Sequence, residues 1–361
     1  MPPKEEFDEL EENDRKRSTI RSDLTMSQGK RFNDEKFGKL NLRKDILPYD
    51  QSRVKLRSTI NKIDYINASW VQRCHDENVY DDVYEFLTSS KMNFIVTQDP
   101  TKDTQQHYYQ MLFEQQVDVV VHISSDSNLQ HWETRSFGNA YIELVERVNL
   151  EENIMREKMN IFVKSDALIH SHPTTVYHFT AWPSDDHFGE EDSKRILTLI
   201  SLVQRDVGKP TTKFTIASHD ASGGVGGAST FIVLFQMQQE LNTKLKVRKQ
   251  GQIEIESVNV FQKVNEMRKQ RAHMIATFQN YRFLFNTLAY YAKNQSFFEK
   301  ITTTVEPVPT PKITPANNST TIGQQNDIEA EYVYSDDISI DPLYQNERIT
   351  SENYESDIYV N

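Results

Sequence analysis

The sequence predicts an α/β fold, on two observations. Apolar runs of strand type at FIVTQ (94–98), VDVVVHI (117–123) and FTIAS (214–218) are interleaved with segments of helical character. The last of these strands passes through a glycine-rich turn, HDASGGVGGAS, directly into the apolar helix TFIVLFQMQQEL (230–241). Alternating strands and helices are the mark of a sheet covered by helices.

In chain order, residues 1–30 form a charged N-terminal segment in which EEFDELEEN has the composition of an exposed helix. Residues 31–300 carry the apolar patterning of one large domain. HYYQMLFEQQ (107–116) links the first two strands as a helix, and three later segments read as helices: SKRILTLISLVQRDV (193–207), TFIVLFQMQQEL (230–241) and VNVFQKVNEMRKQR (258–271). Beyond Lys300 the chain is rich in Thr and Pro and then acidic, with few aliphatic residues. Such a segment buries too little apolar surface to offset its conformational entropy, so 301–361 is expected to be a disordered acidic tail. That tail holds 11 Asp or Glu against 2 Lys or Arg, a net of −9 within a chain total of −12, so most of the acidity lies there.

This charge argues against nucleic-acid binding. No run of eighteen apolar residues is present, so no membrane segment is expected in the chain, and the charged N-terminus lacks the apolar core of a secretory signal. With one cysteine, Cys74, no intramolecular disulfide can form, which fits a cytoplasmic setting. Cys74 reads as an ordinary thiol. Asn318-Ser319-Thr320 has the form of a glycosylation sequon, but nothing else suggests secretion.

The glycine turn is the candidate site. Between a strand and a helix it aims several backbone N–H groups at one point beside the positive end of the helix dipole, which is how phosphate is cradled. Local pattern alone leaves two readings open, an anion site or a turn made for packing.

At this junction the sequence resembles the protein tyrosine phosphatase family, and the resemblance extends over about residues 31–295. DILPYDQSRVKL (45–56) followed by DYINASW (64–70) is similar to the family's substrate-recognition segment, with Asp64, Tyr65, Asn67 and Ala68 matching. FIVTQDPTKDT (94–104) and HYYQMLFEQQVDVVVHI (107–123) resemble the next block. TVYHFTAWPSDD (175–186) resembles the mobile loop that carries the general acid, HDASGGVGGASTF (219–231) the nucleophile loop, and MRKQRAHMIATFQNYRFLF (267–285) the glutamine loop and final helix. The resemblance implies a highly twisted mixed sheet flanked by helices. In style it is most like the degenerate, membrane-distal second phosphatase domain of receptor-type enzymes.

The same resemblance implies that the chemistry is lost. The family's cysteine nucleophile is replaced by Asp220, after His219, and its bidentate phosphate-binding arginine by Gly227. Ser184 follows Trp182-Pro183 where active members place the acid. Asp185 and Asp186 stand one and two residues too far on to serve readily. Ala276 and Asn280 occupy the positions of the water-positioning glutamines, and Arg43 that of the aromatic that stacks on the substrate ring. The loop is one residue longer than usual, through a glycine near Gly224, so the cradle of Gly223, Gly226 and Gly227 is expected to be vestigial. Asp220 also opposes phosphate by about 4 kcal/mol for unit charges about 4 Å apart at an effective dielectric near 20. Asp220 is read either as an internal counter-ion for the emptied loop or as a drifted residue without a role. The alternative function is an active phosphatase using Asp220 as nucleophile. His219 reads as a structural histidine. No cofactor and no metal site is expected.

Function is then expected to be regulatory or scaffolding: a pseudophosphatase that binds protein partners, among them an active phosphatase domain. Tyr332, Tyr334, Tyr344, Tyr354 and Tyr359 lie in acidic surroundings suited to tyrosine kinases, and Tyr359-Val360-Asn361 resembles the Tyr-x-Asn motif read by Src-homology-2 adaptors. The plainer reading is a solvated acidic tail. The resemblance further implies a cytoplasmic domain, or the intracellular part of a membrane receptor.

Overall fold

The computed structural model describes residues 2–20, 38–60, 63–71, 92–126, 135–138, 140–165, 168–185, 187–208, 214–249 and 258–303. They fall within one compact unit, Met1–Glu306. Cys74, Asp186, the sequon at Asn318 and the tail tyrosines lie outside the described residues.

Among the described residues, nine strands form one mixed sheet. They are β1 (Arg53–Ile60), β2 (Ile63–Trp70), β3 (Met92–Gln98), β4 (Val119–Ile123), β5 (Arg135–Phe137), β6 (Ala140–Glu151), β7 (Ile154–Ser165), β8 (Leu168–Phe179) and β9 (Phe214–Asp220), in the order β1-β2-β3-β9-β4-β8-β7-β6-β5. The four central strands, β3, β9, β4 and β8, are parallel, and the outer strands pair antiparallel on either side. Of these, β3, β4 and β9 are buried along nearly their whole length and read as apolar runs, as parallel strands do.

Six helices are described: α1 (Pro3–Ile20), α2 (Gln105–Glu114), α3 (Glu190–Val207), α4 (Gly227–Lys249), α5 (Val260–Arg268) and α6 (Phe278–Thr303). Helix α4 is apolar on every side over its first turns. Phe231 through Phe235 are all fully buried, so this helix forms the centre of the core rather than its skin. Helices α1, α3, α4, α5 and α6 share one apolar cluster on one sheet face, while α2 packs with β1, β2, β6 and β7 in a second cluster. Each fully buried Leu or Phe contributes about 1.5–3 kcal/mol relative to its exposed state.

Three expectations change. The N-terminal segment does form a helix, but not an exposed one: Phe7 and Leu10 are buried, Phe7 packs on Phe278 and Tyr281, and Tyr281 donates from its hydroxyl to Glu6 at 2.6 Å. Phe7, Leu10 and Asp14 recur at helical spacing and form one docking face, so an acidic helix buries a narrow seam. The hairpin β1–β2 and the long meander β5–β8 extend the strand content well beyond the three apolar runs. Finally, the segment beginning at Thr175 is strand as far as Phe179, paired to both β4 and β7, so the Trp-Pro loop starts only at Thr180.

Candidate active site

The loop after β9 opens at the carboxyl ends of the parallel strands, where open α/β sheets place their ligand sites. Strand β9 carries Ser218, His219 and Asp220 to this edge, and α4 begins at Gly227, so residues 221–226 make the turn.

Asp220, 4% exposed, fills the turn from within. Its Oδ1 accepts the Gly224 N–H at 2.7 Å and the Ser222 hydroxyl at 2.6 Å, and its Oδ2 accepts the Ala228 N–H at 2.8 Å. Ser222 Oγ in turn accepts the Gly226 N–H at 2.8 Å. Burial pushes the Asp220 carboxyl up from the usual carboxylate range, while the donors from Ser222, Ala228 and Gly224 pull against it.

The glycines of the loop have separate reasons. Gly223 and Gly224 both hold positive φ, 85° and 81°. A Cβ on Gly224 would lie 2.6 Å from the Thr97 carbonyl oxygen, so the additional glycine lets the loop backbone press against β3. At Gly227 a Cβ would lie 2.4 Å from Ile123 Cγ2 and 3.1 Å from Trp182 Cδ2. Ile123 and Trp182 therefore leave no room for a side chain at this position.

That loop is anchored. The Trp182 N–H donates to the Ser124 carbonyl at 3.1 Å, and its ring packs edge-on to Phe188 and Phe283. Ser184 is exposed. Asp185 is turned toward His187, whose backbone N–H donates to it at 3.2 Å. Arg43 is held by Asp45 through two hydrogen bonds at 2.6 and 3.1 Å, and its charge is within electrostatic reach of Asp220. The Ala276 N–H donates to Val225 O at 3.0 Å, tying the late loop to the turn by backbone alone. Asn280 is buried on α6, where its side-chain oxygen has no hydrogen-bond partner among the described residues.

The matching residues on β2 organise this region. Tyr65 donates to Asn41 at 2.6 Å, Asp64 takes the Arg53 guanidinium at 3.0 Å, Ala68 is fully buried, and the Asn67 amide donates to Ile46 O at 2.7 Å. Asn67 also receives Arg271, which sequence reasoning missed. This fully buried guanidinium donates to Asn67 Oδ1 and Ser69 Oγ at 2.9 Å each and to the Gly223 carbonyl at 2.5 Å. Burial lowers its pKa to about 10. The sequence signal was available in MRKQR, where an arginine stands beside an apolar helix end.

His219, buried at 1% exposure, donates from Nδ1 to Asp99 at 2.7 Å and stacks on His122 with centroids 4.6 Å apart. Neither Asp99 nor His122 was singled out from the sequence, because only the strand order brings them to His219.

A strand, a glycine turn and a helix N-terminus meet at the carboxyl edge of a parallel sheet, the arrangement in which backbone amides can cradle an anion, and here the Gly224 and Ala228 amides are bound to the chain's own carboxylate. Residues 38–290 match the sequence profile of the protein-tyrosine phosphatase family, and the chain belongs to that family. It is 27% identical over 250 residues to human receptor-type tyrosine-protein phosphatase eta, covering 66% of this chain and 16% of that one. It is 29% identical over 269 residues to mouse tyrosine-protein phosphatase non-receptor type 2, covering 71% and 59%. The chain therefore spans less than two thirds of these relatives, which include receptor and non-receptor types. Its fold superposes on the catalytic domain of human protein tyrosine phosphatase non-receptor type 18 with a TM-score of 0.58 at 20% identity, covering 82% of this chain and 96% of that one. Among the described residues no helix is long and apolar enough to cross a membrane.

Proposed function

We propose that this member of the family is a catalytically silent tyrosine-phosphatase-like protein with a regulatory or scaffolding role in phosphotyrosine signalling. The observation that carries the reading is the Asp220 carboxylate, which binds the Gly224 and Ala228 N–H groups and the Ser222 hydroxyl. Donors that would stabilise a phosphoryl group are committed to an internal anion, and the residue at the nucleophile position is tied down through both oxygens. Gly227 adds to this, because the arginine's volume is taken by Ile123 and Trp182. The competing reading, Asp220 as an acyl-phosphate nucleophile, needs an oxygen released from these bonds and a cation to hold the phosphate. Arg43, paired with Asp45, is poorly placed to supply one.

Within this reading the domain binds protein partners through its surface, an active phosphatase domain among them, as a degenerate second domain of a receptor-type enzyme does. The setting is cytoplasmic, and the acidic segment beyond residue 300 recruits Src-homology-2 adaptors once its tyrosines are phosphorylated. The test is turnover of a phosphotyrosine peptide set by the full chain beside its Asp220→Ala variant, with calorimetry against phosphate and vanadate. Equal background rates and no anion binding are expected. Turnover that vanishes in the variant, or millimolar-or-better anion binding by the wild type, would overturn the proposal.

A further inference from the structure

Three neighbouring parallel strands bring two imidazoles and a carboxylate together beside the degenerate loop. Asp99 follows β3, His219 is the penultimate residue of β9, and His122 lies near the end of β4. His122 and His219 face each other across the β4–β9 ladder, and the Asp99 N–H donates to the Asp220 carbonyl at 3.0 Å, which holds the carboxylate over the pair. Asp99 Oδ1 is 2.7 Å from His219 Nδ1 and 3.7 Å from His122 Nε2, and the three atoms lie within 4.8 Å of one another.

Behind His122, the fully buried His178 faces Glu157 through Nε2 at 3.1 Å, and Arg147 holds the other Glu157 oxygen at 2.6 Å. His122 Nδ1 lies 3.3 Å from His178 Nδ1, and this contact sets the His122 ring with its Nε2 toward Asp99 at 3.7 Å.

We infer that Asp99, His122 and His219 bind a divalent first-row transition cation, zinc being the best match to the donor set. Two imidazole nitrogens and one carboxylate oxygen are zinc ligands, and a tetrahedral site with bonds of about 2.0–2.2 Å sets its ligands about 3.3 Å apart, within the span observed here. The carboxylate–histidine pair behind His122 is the supporting arrangement that orients a metal-binding imidazole. Asp99 and His122 remain 27% and 16% exposed at the side chain, which leaves a route for the ion and a fourth position for water. Binding requires the stacked imidazoles to rotate out of their parallel arrangement, and the proton on His219 Nδ1 to pass to Nε2. This inference revises the expectation of no metal site.

The experiment is titration of the metal-free full chain with Zn²⁺ by calorimetry and with Co²⁺ by visible absorption, alongside metal analysis and melting. One equivalent is expected to bind with micromolar or tighter affinity, to give the intense d–d bands of four-coordinate Co²⁺, and to raise Tm by about 5 °C at 100-fold excess over Kd. Asp99→Asn and His122→Ala are each expected to weaken binding at least tenfold, and His187→Ala, at an exposed histidine, to leave it unchanged. Absence of stoichiometric binding by the wild-type chain overturns the inference whatever the variants do. So does binding that survives Asp99→Asn, or that His187→Ala abolishes.

Discussion

The Asp220 carboxylate reaches across the loop to the Ala228 N–H, closing at 2.8 Å a turn that begins on β9 and ends in the first turn of α4. A strand end and a helix start are joined through one side chain. Replacing it with alanine leaves the buried N–H groups of Gly224 and Ala228 without their acceptor. Asp220→Ala is expected to lose about 1–3 kcal/mol of stability in urea or thermal unfolding. Asp220→Asn, which keeps one acceptor oxygen, is expected to fall between. An alanine variant as stable as the wild type would assign no role to the carboxylate.

Rebuilding the family's residues is expected to fail at Gly227. The doubly substituted chain Asp220→Cys, Gly227→Arg has its new Cβ 2.4 Å from Ile123. The overpacking is expected to cost about 1–3 kcal/mol, and no phosphatase activity should appear with phosphotyrosine peptides. Adding Ile123→Ala should recover part of the lost stability. Activity in the double variant would show that the site's volume is no obstacle.

Arg271 is expected to be among the most sensitive positions. Arg271→Met removes donors from Asn67, Ser69 and the Gly223 carbonyl together, at a cost of about 2–4 kcal/mol. Arg271→Lys keeps the charge but not the planar fork, and should restore less than half of that loss. Chemical denaturation of the three proteins decides it, and full rescue by lysine would mean that charge alone matters.

The docking of α1 is testable through Leu10, which is fully buried. Leu10→Ala is expected to destabilise by about 2–5 kcal/mol, whereas Lys16→Ala, at an exposed i, i+4 ion pair, should change stability by less than about 0.5 kcal/mol. Equal melting temperatures for wild type and Leu10→Ala would place the helix away from the core.

Acid stability is expected to depend on Asp206. Burial would raise its pKa, but hydrogen bonds from Tyr177, Arg156 and Arg205 outweigh burial and hold it below the usual carboxylate range. A carboxylate depressed in the folded state binds its proton more readily when unfolded. Its stabilisation is therefore complete above the unfolded value near about 3.9 and is lost as pH falls below it. Asp206→Asn should be less stable than wild type at pH 7, and the difference should shrink below about pH 4. A difference that stays constant across this range would remove Asp206 from the acid response.

The central strands and their helices were legible because β3, β4 and β9 are short apolar runs with both faces buried, and the glycine turn announced its own junction. Strands β6 to β8 were not. Along β6 the outer half alternates between exposed and partly buried residues on a polar background, so Glu146, Arg147 and Asn149 hide the period of two. The resemblance assigns the loop positions one by one as expectations. Their consequence could not be read that way, because Gly227's crowding depends on Ile123 and Trp182, and Gly224's on Thr97. Asp99, His122 and His219 are far apart in sequence and meet only because β9 inserts between β3 and β4.

That insertion has a bearing on synthesis. Strand β9 is the last strand among the described residues, yet it occupies the middle of the sheet and pairs on one side with β3 and on the other with β4. A nascent chain that has not yet delivered Phe214 to Asp220 holds the sheet as two halves, each presenting an apolar parallel edge to its surroundings. The halves join only when β9 emerges, and α4 with its continuous apolar surface follows at once. Expression in cells short of holding chaperones should therefore fail by aggregation of incomplete chains, before any difference in the stability of the finished fold is felt.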